Sequence, residues 1–529
     1  MKKKLQKFLL FALSICILGL LNSCNNSKNK KKNNNTALSK QNNNDLLLDS
    51  NTIVLFFKAK KISDSIQKDV LIFYQERGFQ QAWINTDGLT IAAKNFYDQL
   101  QNYKADFEDD RFMNLQLDSL MENIKDDENA FLKQTNDISQ LELLLSTTFF
   151  KYSKKVYGGI TQEAKSLGWF IPRKKRDYQV LLDSLVSQNK DADFEEPLNK
   201  YYGLLKEKLK AYRIIEKGGG FSKYIPFKKA ILLTETDSSI TEIKKHLQTT
   251  GDLKVNDNTN VFTDSLLLAV KHYQQRMGLT ETGKLDANTI AEMNKPVAER
   301  IKQIMVNMER LRWVPAEVEK DYLLINIPEF KLHVFENNKL AWETNVVVGK
   351  LLTQTTIFKG NMSSIVLNPY WNVPYSIYKK EIKPKLTNRY LARNNMERYN
   401  GGVRQKPGKN NSLGKIKFLF PNNYNIYLHD TPSKNLFGET KRGFSHGCVR
   451  VQEPQKLALY LLREDTSWNL EKMNTVLQTD IETPISLTPT IPVYIVYFTA
   501  WVDSAGDLNF RNDLYNLDEK LSNEIFGKQ

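Results

Sequence analysis

The chain has 529 residues, 41% of them hydrophobic and 26% charged, and a formal net charge of +15. That length is more than one core normally organises. Three cysteines (Cys16, Cys24 and Cys448) are too few for a disulfide framework, and the basic balance, which could suit nucleic acid, has to be read against the N-terminus.

Lys2, Lys3, Lys4 and Lys7 precede an apolar run over residues 8–21. A bilayer span takes about 20 apolar residues, so this shorter run fits the hydrophobic region of a secretory signal. It ends in Leu21-Asn22-Ser23-Cys24, which resembles a bacterial lipobox, whose cysteine becomes lipidated and N-terminal after cleavage. Residues 1–23 are therefore expected to be a lipoprotein signal peptide. Export argues against a nucleic-acid partner and for an anionic envelope surface. Asn25 is not the acidic residue of an inner-membrane retention signal, so the expected address is the outer membrane of a Gram-negative bacterium, facing the periplasm. Residues 24–50, rich in Asn and Lys, hold too few apolar side chains for a core and are expected to be a disordered tether. Cys16 leaves with the signal and Cys24 is consumed as a thioether, which makes Cys448 the free thiol of the mature chain. A lone thiol in an oxidising compartment is a liability unless it has a use.

From residue 51 to 236 apolar positions recur at three- and four-residue spacing, as in Val70, Phe73 and Tyr74 and in Leu141, Leu144 and Leu145, which predicts a helical scaffold. Residues 237–296 form a compact unit. Ile240, Ile243, Lys244 and Leu247 share one helix face, Gly251 breaks it, and Phe262, Leu266, Ala269, Val270 and Tyr273 share a second, with Asp286 capping a third helix. With Gln274, Gly278, Leu279 and Gly283 the pattern resembles the three-helix peptidoglycan-binding domain. Residues 297–318 give one more amphipathic helix, leading back to the scaffold. The period then changes to two, with strands expected over 322–327, 331–335, 340–348, 416–420 and 425–428. Hairpins at this spacing predict a mainly antiparallel β-sandwich or barrel over 319–500, interrupted by a polar, basic capping insertion at about 375–411. Residues 501–529 read as a C-terminal tail, and the whole as an α+β multidomain chain.

Two of five histidines fall near the thiol, in Leu428-His429-Asp430-Thr431-Pro432 and Ser445-His446-Gly447-Cys448-Val449-Arg450. An imidazole or cation beside a cysteine can activate it for attack on a carbonyl. Backbone amides around Gly447 and Cys448 are natural oxyanion donors, and Arg450 could hold a substrate carboxylate or brace the loop. A zinc site would need more ligands than Asp430 and Glu439 offer, and a buried inert cysteine would not explain the two histidines.

Ser-His-Gly-Cys with an Arg at 450 and a histidine at 429 resembles the L,D-transpeptidase (YkuD-type) catalytic domain. The resemblance to the large YcbB-like subfamily extends to Trp371-Asn372-Val373-Pro374-Tyr375, Arg404-Gln405-Lys406-Pro407-Gly408, Ile426-Tyr427-Leu428-His429 and Tyr497-Phe498-Thr499-Ala500-Trp501. It implies Cys448 as nucleophile and His429 as proton acceptor and donor. Ser445, His446, Gly447 and Arg450 would shape the loop and oxyanion site, and Asp430, Trp371 and Tyr375 would meet the substrate. It implies attack on the bond between a diamino acid and terminal D-Ala of a tetrapeptide stem, a thioester, and transfer to a neighbouring amine as a 3→3 cross-link. It implies peptidoglycan stems and glycan as partners, no metal or other cofactor, and acylation by carbapenem-type β-lactams. The residues leave the acceptor open: water would make a carboxypeptidase, a protein amine a wall-anchoring enzyme. A wall-binding scaffold without activity is the non-enzymatic alternative, and a sortase-like enzyme would leave the peptidoglycan-binding pattern unexplained.

Overall fold

The computed structural model describes residues 46–173, 176–187, 198–225, 229, 231–315 and 318–527. The basic leader, Cys24 and most of the Asn-rich stretch lie outside the described residues. Order begins earlier than expected for a tether ending at residue 50. Leu48 is only 4% exposed and pairs its backbone with Phe79, and the Asp49 carboxylate accepts from the Thr52 amide to cap the helix Ser50–Lys60.

The chain divides into two compact units. The first takes residues 46–93 and 116–145. Helices Asp64–Glu76 and Leu115–Asp126 bury Val70, Phe73, Tyr74, Leu120 and Met121 at the predicted spacing. A short hairpin, β1 (Ile84–Asn85) with β2 (Gly88–Leu89), adds a little sheet. Its buried polar centre is Glu142, which accepts from the Tyr74 hydroxyl at 2.7 Å and from the Ala82 and Trp83 amides at 2.6 and 3.0 Å. Burial still raises its carboxyl to about 7.

The second unit comprises residues 94–115 and 146–527. Within it, helices Ile240–Thr249, Asp264–Arg276 and Ala287–Met293 make the expected three-helix unit. Gln274 organises it: its amide donates to Thr282, Lys284 and Thr289 and accepts from the Gly283 amide. The helix Val297–Trp313 follows, amphipathic over its first turns and buried all round from Val306 to Leu311.

The C-terminal sheet holds β3 (Tyr322–Asn326), β4 (Lys331–Glu336), β5 (Lys339–Gly349), β6 (Phe358–Leu367), β10 (Ile416–Leu419), β11 (Leu428–His429), β12 (Gly443–Ser445), β13 (Val449–Val451) and β14 (Thr483–Val496). Its order is β12-β5-β13-β11-β10-β6-β14-β3-β4, and β4 also pairs with β5. The sheet thus closes on itself, as in a barrel rather than two separate sheets. Most pairings are antiparallel, but β11–β13, β5–β12 and β3–β14 are parallel. Val346, Val348, Ile365, Phe418, Leu428, Val449 and Ile495 are fully buried in it. The strand expected over 425–428 shrinks to β11, because the Asn422 carboxamide oxygen takes the Tyr424 and Ile426 amides and Asn425 turns left-handed (φ +57°).

The insertion has a sheet and core of its own. β7 (Trp371–Asn372), β8 (Met396–Tyr399) and β9 (Gly402–Gln405) pair in the order β7-β9-β8, and Ile382, Leu391 and Val403 pack together beside it. The segment read as a tail is ordered through residue 527. β15 (Ala500–Val502) and β16 (Leu508–Phe510) form a hairpin, and the helix Leu517–Phe526 follows. Phe510, Tyr515 and Leu521 are buried. The three-helix unit is fastened to this segment. His272 bridges Asp252 (2.8 Å) and Asp507 (3.1 Å), and Arg276 pairs with Asp252 and donates to the Leu508 carbonyl, both at 2.5 Å.

On β4, His333 donates to Glu329 at 2.9 Å and to Glu343 at 3.2 Å. Burial opposes its charge, but the two carboxylates prevail and hold it near pKa 9, above the ordinary 6.5. The stabilisation is full below about pH 6.5 and is lost as pH rises through 9. The melting temperature should therefore fall between pH 7 and 9, and His333→Gln should flatten that fall; an unchanged slope in the variant would remove His333 as its source.

Candidate active site

β13 lies between β5 and β11, and the turn from β12 to β13 carries Ser445, His446, Gly447 and Cys448. The turn is tied from inside and outside. The Ser445 hydroxyl donates to the Cys448 carbonyl (2.6 Å) and accepts from the Gly447 amide (3.1 Å). The Thr355 hydroxyl donates to the Gly447 carbonyl (2.7 Å) and accepts from the Gly349 amide (2.9 Å). Tyr515 in turn donates to the Gly349 carbonyl (2.6 Å) and accepts from the Thr355 amide (3.2 Å). Gly447 sits at φ +115°, a conformation side chains resist. Because its amide is committed to Ser445, the expected oxyanion role of Gly447 is not available to that N–H; among the described residues the Cys448 amide has no such partner.

The Cys448 thiol is half-buried and donates to the Asn425 carbonyl at 3.6 Å. Burial pushes it above the ordinary thiol value, opposed by Tyr427 and by the charges of Lys417 and Arg450. His429 is on the neighbouring strand, its Cα opposite that of Arg450 in the parallel β11–β13 register. Its Nδ1–H donates to the Asp430 carbonyl, which leaves Nε2 as the basic nitrogen. Burial, then the Arg450 charge, drives the ring down to about 3. The resting pair is therefore a neutral thiol and a neutral imidazole. No hydrogen bond joins them directly among the described residues.

The other expected residues divide. Arg450 forms no ion pair among the described residues, and its Nε is buried without a hydrogen-bond partner. His446 points to the insertion, with Nε2 3.0 Å from the Glu381 carboxylate. Trp371 is half-buried and its indole N–H faces the Tyr427 hydroxyl, which reaches the thiol. Tyr375 is 74% exposed where the insertion begins. Asp430 is buried and already has partners. Its carboxylate is used internally, by the Lys415 amide (2.8 Å) and the Lys434 ammonium (2.5 Å), and closes on Gly414, where a Cβ would lie 2.3 Å from it. These contacts shape the loop beside His429.

Sequence reasoning passed over Tyr427, Lys417 and Asn425 at the thiol. The signal for Tyr427 was its spacing: two residues before His429 on an extended segment puts both side chains on one face, and their ring centroids are 5.7 Å apart. Lys417 pairs in register with His429 across β10–β11, and its Nζ lies 4.1 Å from the Tyr427 ring centroid.

Residues 320–477 match the model of the family described as "L,D-transpeptidase catalytic domain", residues 68–209 a "Scaffold domain" and residues 236–293 a "Putative peptidoglycan binding domain". A Haemophilus influenzae protein named "Putative L,D-transpeptidase" is 30% identical over 247 residues, 42% of this chain and 49% of that protein. The chain thus spans about half the length of the curated relative it matches. Among solved structures, an Enterococcus faecium L,D-transpeptidase, crystallised as a cysteine-to-serine mutant, is 11% identical over 34% of this chain and 50% of that one, with a TM-score of 0.18. An L,D-transpeptidase from Stackebrandtia nassauensis is 12% identical over 52% and 97%, with a TM-score of 0.22. The assignment rests on the family match and not on these likenesses.

Two outcomes follow from the geometry. Alkylation of Cys448 by iodoacetamide should rise with pH through an ionisation above the ordinary thiol range; an apparent pKa at or below 7 would mean a resting thiolate instead. Tyr515→Phe removes both of its hydrogen bonds to the loop and should lower the melting temperature and slow alkylation several-fold, whereas an unchanged rate would show that the turn holds without it.

Proposed function

We propose, for a chain that carries an L,D-transpeptidase catalytic domain and a peptidoglycan-binding domain, that Cys448 breaks the bond between the diamino acid and terminal D-Ala of a tetrapeptide stem. The single observation that carries this reading is the Ser445–Cys448 turn, held rigid from three sides within the matched domain, with the thiol beside the unpaired Arg450. The scissile carbonyl would sit over Sγ, and the Cys448 amide is placed to meet its developing oxyanion. His429 takes the thiol proton as the carbon–sulfur bond forms, since neither group is charged at rest, and returns it to the departing D-Ala amine. That transfer requires substrate binding to bring Nε2 and Sγ within reach. Arg450 suits the terminal carboxylate, because its charge is uncompensated and its guanidinium forks around two oxygens. A neighbouring stem amine then attacks the thioester, releasing the thiol and leaving a 3→3 cross-link. The same thiol would be acylated by carbapenem-type β-lactams. Lipid attachment at Cys24 and a periplasm-facing outer-membrane position complete the proposal, supported by the leader pattern of residues 1–24.

The soluble chain lacking the leader, given tetrapeptide-bearing muropeptides, should release D-Ala and form a cross-linked dimer by mass, and Cys448→Ala should do neither. Hydrolysed tripeptide without dimer would make water the acceptor, and equal turnover by Cys448→Ala would refute the nucleophile. His429→Ala should lower the acylation rate by about 10²-fold or more; a larger loss from His446→Ala would transfer the base to that residue.

A further inference from the structure

A helix on the surface of a folded unit needs one apolar stripe, with polar residues opposite. The helix Ser50–Lys60 departs from this pattern. Its middle is five apolar residues in succession, Ile53, Val54, Leu55, Phe56 and Phe57. Ile53, Phe56 and Phe57 are buried in the first compact unit, while Val54 stays 58% exposed and Leu55 66%. Lys58 lies on the same outer face, four residues from Val54 and three from Leu55, and is exposed. Lys60 and Lys61 follow it into solvent. Lys60 meets the neutral Gln116 side chain, and among the described residues no carboxylate pairs with any of the three lysines. Leu47, two residues before the capping Asp49, is 68% exposed as well.

Uncovered aliphatic side chains set among unpaired cations make an interfacial face, apolar at its centre and basic at its edge. What covers it follows from the chain that leads to it. The 22 peptide units from Cys24 to Leu46 (46 − 24) span at most about 75 Å in any arrangement, so a lipid on Cys24 keeps this helix close to a bilayer. Residues 25–61 hold eight lysines against Asp45 and Asp49, a net charge of +6 (8 − 2), which suits an anionic leaflet. We propose that the outer face of the helix Ser50–Lys60 is a membrane-docking surface. Val54 and Leu55 enter the boundary between headgroups and acyl chains of the bilayer that holds the lipid, and Lys58, Lys60 and Lys61 meet its phosphates. This rests on the lipidation of Cys24 proposed above and adds to it a second point of contact. The face alone would hold a free protein only loosely, but an attached one rebinds at high effective concentration, where a weak contact is enough. Attachment at one point thereby becomes a fixed bearing of the first unit on the bilayer. A second copy of the chain is the poorer occupant, because a two-fold contact through this face would set its lysines against their own copies.

The test uses the chain from Asn25 onward, which carries no lipid, sedimented with increasing amounts of phosphatidylglycerol vesicles. Val54→Ser with Leu55→Ser should weaken the partition at least tenfold with an unchanged melting temperature, since both side chains are exposed. Raised salt or phosphatidylcholine vesicles should weaken the unsubstituted chain's binding as well. In a Cys448→Ala background, a nitroxide on Leu55→Cys should become at least threefold less accessible to a water-soluble relaxant when vesicles are added. Equal partition of the serine variant, or a label that stays fully accessible to water on bound protein, would overturn the proposal. So would a doubling of mass in solution that the serine substitutions abolish, which would give the face to a second copy. Vesicle binding as expected, with no lipid found by mass on Cys24 of the protein taken from its envelope, would instead refute the lipid-anchor reading and leave the docking surface standing.

Discussion

The Thr355 hydroxyl is the joint on which the site depends. It donates to the Gly447 carbonyl and accepts from the Gly349 amide, so one oxygen ties the end of β5, the loop after it and the cysteine turn. Gly349 has no room for a side chain, since a Cβ there would lie 2.1 Å from the Thr353 carbonyl. Tyr515 closes the arrangement from the C-terminal segment. A nucleophile gains from being held still, because a bound reactant then needs little further ordering to reach it. Here the holding is done by neutral hydrogen bonds around a glycine at positive φ, which fix the turn without placing another charge beside the sulfur.

The two charges that act on the thiol, Lys417 and Arg450, are both positive. Lys417 and Arg450 favour the thiolate, yet burial outweighs them and the thiol rests protonated. The same burial, with Arg450, keeps His429 neutral. The thiol and the imidazole therefore do not form an ion pair with each other at rest. A neutral, half-buried thiol is a poor target for oxidants, while a thiolate is a good one.

Much of this was legible in the sequence. The helical periods of residues 51–224, the Gln274-centred unit and the first three strands of the sheet all follow from spacing, since each element buries one face and repetition reveals it. The cysteine turn and His429 stood out because their residue types are costly unless used. What could not be read was long-range. The engagement of Asp430 by the Lys415 amide depends on β10 and β11 pairing, which the local sequence does not announce. The pairings that close the sheet, β5 with β13 and β3 with β14, have no local signal, because an edge strand and a paired one carry the same alternation. The segment after residue 500 looked like a tail because its elements are short, and only its partners in the three-helix unit and beneath the cysteine turn show that Phe510 and Tyr515 are core.

The position of Tyr515 also orders events in time. It follows Cys448 by a long stretch of chain that includes β14 and the hairpin of β15 and β16. A nascent chain therefore presents the whole cysteine motif well before the phenol that locks its turn. The motif alone is not yet a site. The turn takes its final form only with a residue that belongs to no recognisable signature, so the geometry around the thiol is completed last, when the C-terminal segment folds back.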